Sequence, residues 1–323
     1  MVKANAYGIG AVEATRALEA VDPWGYGVAS AEDGMALRRA GIRRPIVVFS
    51  PLTPEAAEVC VREELRPVLG DLEGLRLWLA RGDRPFHIEI DTGMGRLGFP
   101  WRDSGLVAEA GRLLAPAQGW EGVFTHFHSA DTDMDSARVQ WERFTGVLRA
   151  LPRRPELVHA ANSAAALRGR MFAGDLVRPG IFLYGGSAGP AAAPKTVVRF
   201  QAPVVASRRL AAGDSVSYGA TWRAARTTTV VTVAAGYADG LPRSLGGVGS
   251  VELAGDIRPI VGRVTMDFAM VDVGDADVAL GSVATIYGGA VSLDAQAAAG
   301  GTISYELLTA LGARVVRRYA GGG

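Results

Sequence analysis

The sequence predicts an α/β barrel of the TIM type followed by a mostly β C-terminal domain, and three observations carry that reading. Through residues 1–196, short apolar runs alternate with stretches of helical spacing. From Val197 onward, runs rich in Val and Thr follow one another closely, bounded by Gly, Asp and Pro. Between the two textures lies PAAAP at 190–194, a plausible hinge. The expected domains are therefore 1–196 and 197–323.

The first half opens on VKANAYG, read as a lysine at the end of a strand followed by small residues. After a turn at Asp22-Pro23 come WGYGVAS, the helix-like AEDGMALRRAG, PIVVFS and the helix-like PEAAEVCVREE. FHIEID, SGLVAEAGRLLA, GVFTHF, SARVQWERFTGVLRAL, LVHAANS and LVRPGIFLYG continue the alternation. Strands alternating with helices imply parallel βα units. Strands this short and apolar suit a sheet buried on both faces. The count fits a (β/α)8 barrel, although one helix–strand pair is not evident. In the second half VVRFQAPVVASRRL, TTTVVTVAAGY, SVELAGDIRPIVGR, FAMVDVG and SVATIYGG read as strands in close succession. TISYELLTALG reads as a helix and ARVVRRY as a closing strand.

Composition excludes several functions. The 323 residues carry a net charge of +1 with no basic block, which speaks against a nucleic-acid partner. A single cysteine, Cys60, rules out a disulfide framework and a thiolate metal cluster, and no metal is expected. No apolar stretch is long enough to span a membrane, and MVKANAYGIG lacks a signal-peptide layout, so a cytoplasmic protein is expected. Among the 34 basic residues only Lys3 and Lys195 are lysines. Arginine stays protonated, whereas lysine can become a neutral nucleophile, so a retained lysine raises the question of chemistry. Lys195 sits in the loop-like PAAAPKT and reads as a surface residue.

Other motifs carry competing readings. DTGMGRLG at 91–98 contains G-x-G-x-x-G, but the acidic residue of a dinucleotide site is missing from the end of the next strand. Arg96 within it suggests a carboxylate contact instead. His126 and His128 are two apart and would face one side of a strand. They read either as a metal pair or as one site residue and one structural residue. Asn162-Ser163 and the turn Arg178-Pro179-Gly180-Ile181 offer backbone amides to a phosphate, or else a helix cap and a simple turn. Tyr218 in VSYGATW is a site residue or a strand aromatic.

Taken together, these segments resemble the alanine racemase family of fold-type III pyridoxal-phosphate enzymes. VKANAYG, DTGMGRLGF, THFHSAD, ANSAA, RPGIFLYG, VSYGATW, GYADGLPR, PIVGRVTMD and ISYELL…RVVRRY follow in the family's order almost end to end. The resemblance implies a barrel plus a β domain, a head-to-tail homodimer with shared active sites, and interconversion of L-alanine and D-alanine for peptidoglycan. It implies pyridoxal 5'-phosphate held as a Schiff base by Lys3. Lys3 and Tyr218 of the partner subunit would act as the two bases. His126 would bond that tyrosine, and Arg178 would face the pyridine nitrogen. Tyr7, Ser163, the Gly180 and Ile181 amides and Tyr319 would hold the phosphate, with Asn162 in support. Arg96 and the Met266 amide of the partner would bind the substrate carboxylate, and Tyr237 and Tyr305 would narrow the entrance for a small amino acid.

The sequence departs from the family in places. Family members carry a few tens of residues before the cofactor lysine, so the chain is expected to lack that segment, and an inactive pyridoxal-phosphate-binding product is one alternative. Glu89 stands where many members have a carbamylated lysine and is expected to orient Arg96 as a permanent carboxylate. Ile9 and Val316 replace a usual His and Pro. A serine or broader-specificity racemase is the other alternative. A decarboxylase of the same fold type would need a cysteine in the β domain, which Cys60 is not.

Overall fold

The computed structural model describes residues 1–320, so the last three residues of the 197–323 segment lie outside the described residues. The chain forms two compact units. The first comprises Met1–Ala6, Gly10–Gly180 and Ala188–Ala193; the second comprises Tyr7–Ile9, Ile181–Ser187 and the chain from Pro194 onward.

The first unit is built on parallel strands β1 (Tyr26–Val28), β2 (Ile46–Val48), β3 (Arg66–Leu69), β4 (Phe86–Asp91), β6 (Trp120–Phe124) and β7 (Leu157–His159). They are hydrogen-bonded in the order β1-β2-β3-β4-β6-β7, and the short β5 (Phe99–Pro100) pairs with β4. Two segments too short to count as strands carry the ring onward. Arg178 N–H donates to Ala161 O at 2.8 Å, Met1 N to Pro179 O at 2.9 Å, and Val2 N–H to Gly27 O of β1 at 2.8 Å. Every residue of β1, β2 and β7 is buried, as a sheet covered on both faces requires.

Helices cover this ring, and in five of them the preceding residue is a side-chain acceptor. Ser30, Thr53, Asp71, Asp103 and Asp133 cap the helices Ala31–Arg39, Pro54–Arg62, Leu72–Leu79, Ser104–Leu114 and Met134–Ala150. Each satisfies N–H groups that the first helical turn leaves open. The helix–strand pair not evident in the sequence is β3 with Leu72–Leu79. Pro67 disguises the strand, since proline removes a ladder donor, and only Gly70-Asp71 separate the two elements.

The second unit is a closed antiparallel barrel in the order β11-β14-β13-β12-β15-β8. Its staves are β8 (Phe200–Leu210), β11 (Thr228–Val233), β12 (Ser250–Leu253), β13 (Asp256–Val261), β14 (Ala269–Gly274) and β15 (Val283–Tyr287). Closure leaves no exposed edge. Strands β9 (Ser215–Val216) and β10 (Trp222–Arg223) form a separate two-stranded ribbon. Strand β14 alternates buried and half-buried residues, the period-2 pattern of a stave with one core face. A two-residue turn joins β12 to β13, with Ala254 at φ 53° and Gly255 at φ 82°.

Two sequence expectations need correction here. Leu293–Ala299 is a helix, capped by Ser292, that the sequence reading passed over. ARVVRRY forms no strand. Its anchors are side chains instead: Arg317 Nε donates to Gly8 O at 2.8 Å and Tyr319 Oη to Ile9 O at 2.8 Å.

Candidate active site

Lys3 does not end a strand. It follows Val2, the last residue paired to β1, and opens a turn in which Ala4, Asn5, Ala6 and Tyr7 all have left-handed dihedrals, with φ of 52°, 55°, 52° and 56°. Left-handed backbone costs L-residues roughly 1–2 kcal/mol each. Hydrogen bonds offset part of this. Ala6 N–H donates to Val2 O and Gly10 N–H to Asn5 O, both at 2.9 Å, and Ala11 N–H donates to Asn5 Oδ1 at 2.8 Å. Strain of this kind gathers at functional sites.

Around Lys3 the first unit collects cationic and buried polar groups. Desolvation, and then the charge of Arg96, lower the Lys3 amine from its ordinary range. Burial holds His126 down at about 3, with help from Arg178, Arg96 and Lys3, so its imidazole is neutral. Arg178 is buried, which lowers its guanidinium to about 10 and leaves it protonated at neutral pH. It donates to His159 Nδ1 at 2.7 Å, Thr125 O at 2.9 Å and Ala160 O at 3.0 Å, and lies over the Phe124 ring. Glu89 is also buried, and burial raises its carboxyl to about 7 against the pull of Arg96 and Arg178. It is therefore no permanent anion: both of its forms coexist near neutral pH.

The glycine loop is already occupied. Gly93 N–H and Gly95 N–H donate to Asp91 Oδ1 at 2.9 and 3.1 Å, so the amides a dinucleotide phosphate would need wrap a carboxylate of the chain itself. Arg96 is exposed on this loop. His126 and His128 do not share a strand face, because β6 stops at Phe124. His128 is exposed and its Nδ1 pairs with Ser129 Oγ at 2.7 Å. Among the described residues no group of three or more His, Cys, Asp or Glu is placed to hold a metal.

Asn162 caps the short helix Ser163–Leu167, its Oδ1 accepting from Ala165 N at 3.1 Å. Ser163 Oγ accepts from Gly180 N at 2.8 Å, so the two predicted phosphate segments meet through a hydroxyl and an amide.

The remaining predicted residues belong to the second unit. Tyr7 stacks on Tyr184 with centroids 4.6 Å apart and tilts toward Tyr305 at 5.9 Å. Burial pushes the Tyr7 and Tyr184 phenols above their ordinary range. Ile181 is buried at the start of the single turn Ile181–Tyr184. Tyr319 bonds Ile9 as described. Tyr218 and Met266 stand on turns and are 71% and 53% exposed, unusual for large apolar-bodied side chains. The Met266 carbonyl accepts from Ala238 N–H at 3.0 Å.

Sequence reasoning missed His159, His87 and Glu121. A signal was available: FHI in FHIEID and LVH in LVHAA each set one histidine among apolar, buried strand residues.

Comparison with known proteins agrees over both units. The family model of the alanine racemase N-terminal domain matches residues 1–188, and that of the C-terminal domain matches 197–319. An alanine racemase of Deinococcus radiodurans is 39% identical over 98% of this chain and 90% of its own length. One from Acidiphilium cryptum is also 39% identical, with the same coverage. Among solved structures, the alanine racemase of Streptomyces lavendulae superposes with a TM-score of 0.92 at 34% identity, over 99% of this chain and 90% of that one. The biosynthetic enzyme of Pseudomonas aeruginosa gives 0.90 at 34%, covering 99% and 91%. A parallel barrel joined to an antiparallel one, with these relatives, defines an amino-acid racemase. The chain belongs to the alanine racemase family, and its reaction is the interconversion of L- and D-alanine. That family generally uses pyridoxal phosphate.

Proposed function

We propose that this chain racemises alanine with pyridoxal phosphate bound to Lys3, in a cytoplasmic homodimer whose active sites draw on both subunits. The observation that carries the reading is the electrostatic setting of Lys3: a lysine whose amine is pushed toward neutrality beside Arg96, near Arg178 and a neutral His126. The residues suit the cofactor chemically. An amine with a depressed pKa meets an aldehyde, a protonated buried guanidinium suits a pyridine nitrogen, and the Ser163 hydroxyl, oriented by the Gly180 amide that donates to it, suits a phosphate. Tyr7, Asn162, Ile181 and Tyr319 complete that set by family resemblance.

The bound cofactor supplies an electron-accepting ring that acidifies the substrate α-proton. The chain does the rest. Arg96, with the Met266 amide of the partner subunit, binds the substrate carboxylate and fixes which faces of the α-carbon are open. Racemisation needs one group on each face, one taking the proton and the other supplying one. Lys3 Nζ serves one face and the Tyr218 Oη of the partner subunit the other. The high exposure of Tyr218 on a single chain supports a function completed in a dimer. His126, neutral, can accept a hydrogen bond from that phenol and so ease its proton loss. Arg178 remains protonated at neutral pH and would hold the pyridine nitrogen of the cofactor as an acceptor, without a proton of its own. A ring held that way would be a weaker electron sink and would favour return of the proton over side reactions.

The test is racemisation of D-alanine by purified protein with pyridoxal phosphate, followed as L-alanine. Lys3→Ala should lower the rate by roughly 10²–10⁴-fold, the scale of a lost acid–base group. Borohydride reduction and peptide mass should find the cofactor on Lys3. A reduced adduct elsewhere, or full activity in Lys3→Ala, would overturn the assignment.

A further inference from the structure

A line of buried polar groups crosses the interior of the parallel barrel. Arg178 Nη1 meets His159 Nδ1 at 2.7 Å, and His159 Nε2 meets His87 Nδ1 at 2.9 Å. His87 Nε2 then meets Glu121 Oε2 at 3.2 Å, and Arg66 Nε donates to the same carboxylate oxygen at 2.7 Å. His87 and His159 are 0% and 1% exposed, so the contact between the two rings is closed to solvent, whereas Glu121 and Arg66 are half-buried at the end of the line. The fold makes room for the line: a Cβ at Gly122 of β6 would collide with the His87 ring. The Phe124 ring stacks on His159.

The protons in this line have only one consistent arrangement. Arg178 has donors only, so His159 Nδ1 must accept. Burial, with the charges of Arg178 and His87, holds His159 well below its ordinary range, so the ring is neutral and its one proton sits on Nε2. That proton points at His87 Nδ1, which must accept. Burial also lowers His87, outweighing Glu121, so its one proton sits on Nε2. It is donated to Glu121. Burial raises the Glu121 carboxyl, but the hydrogen bonds from His87 and Arg66 outweigh it, so the group is an acceptor-only carboxylate. Cation at one end and anion at the other thus polarise two neutral histidines in one direction.

We propose that Glu121 is a positioning residue for racemisation: through His87 it fixes the tautomer of His159, and thereby the orientation in which Arg178 is held. Remove the Glu121 acceptor, and the His87 Nε2 proton loses its acceptor in the protein. Moving that proton to Nδ1 would set two donors face to face at His159. Relief there moves the His159 proton to Nδ1, which then faces the Arg178 donor and displaces it. The consequence for rate rests on the function proposed above for Arg178; the tautomers do not.

Four histidines in the chain make the test tractable. In holoenzyme labelled with nitrogen-15 histidine, NMR should show His87 and His159 both neutral and both protonated at Nε2. An Nδ1 proton on either ring overturns the proposal. Glu121→Leu should shift His159 toward the Nδ1 form. It should lower kcat by about tenfold to a hundredfold, the scale of one buried donor left unpaired, and change KM less. Glu121→Gln keeps an acceptor and should retain the tautomers and most of kcat. His87→Leu, apolar in an apolar core, should reproduce the His159 shift and the kcat loss, and it serves should Glu121→Leu not fold. Unchanged tautomers in the leucine variants, or altered tautomers with full kcat, overturn the proposal. Failure of the cofactor assignment would show instead as an active Lys3→Ala enzyme, with these spectra untouched.

Discussion

Glu89 shows how burial changes what a residue can do. The strand β4 points it inward, and burial raises its carboxyl from the ordinary 4.5 to about 7. The folded chain therefore binds a proton here more tightly than the unfolded chain does. Between about pH 4.5 and 7 stability falls as pH rises, and above 7 the loss is complete. Glu89→Gln removes that slope. Relative to wild type, the variant should gain stability above pH 7, on the order of 2–3 kcal/mol, and gain little below pH 5. Melting curves at pH 5 and pH 8 check the sign; equal differences at both would mean that Glu89 does not titrate in this window. We propose that Glu89 orients Arg96 in its ionised form, the only one with a charge to attract the guanidinium. KM for alanine should then fall in wild type as pH rises through 7, and should be higher and pH-independent in Glu89→Gln. An unchanged KM in the variant would reject the orienting effect.

At the scale of elements, legibility followed the strength of the local signal. Strands such as PIVVFS and helices such as PEAAEVCVREE were readable because apolar periodicity and an N-cap coincided. The strand at Arg66–Leu69 was hidden by Pro67, and the final ARVVRRY looked like a strand only because its Val pair mimics one. The turn after Lys3 was not legible at all. Ala4, Ala6 and Tyr7 have no intrinsic preference for positive φ, so only the surrounding structure holds them there. The site divides similarly. Lys3, Arg96 and Arg178 stood out by residue type and motif, whereas His87 and His159 gain meaning only from each other, 72 positions apart. The hairpin between β12 and β13 offers a test of backbone cost. Exposed Ala254 holds φ 53° in a turn whose two central residues both have positive φ. Asn and Gly suit such a position and Ala does not. Ala254→Asn should stabilise the protein by about 1 kcal/mol, a Tm rise of ~2–4 °C, with racemase activity unchanged. A lower Tm would mean that the alanine methyl is doing something beyond filling the turn.

At the scale of the whole molecule, the proposed division of the two bases between subunits has a consequence that no single-chain enzyme shares. In the proposed head-to-tail dimer each site would take Lys3 from one chain and Tyr218 from the other. Lys3→Ala and Tyr218→Phe homodimers should each be nearly inactive, since every site lacks one base. Mixing the two variants and allowing subunits to exchange changes the count. A heterodimer carries both lesions in one site and neither in the other, so one site is whole. Random pairing makes half the dimers mixed, and half the sites in those are intact, so activity should recover to about a quarter of wild type. Recovery should track subunit exchange, remaining absent where exchange is blocked by crosslinking the homodimers beforehand. If both bases came from the same chain, a mixed dimer would hold only singly damaged sites, and mixing would restore nothing.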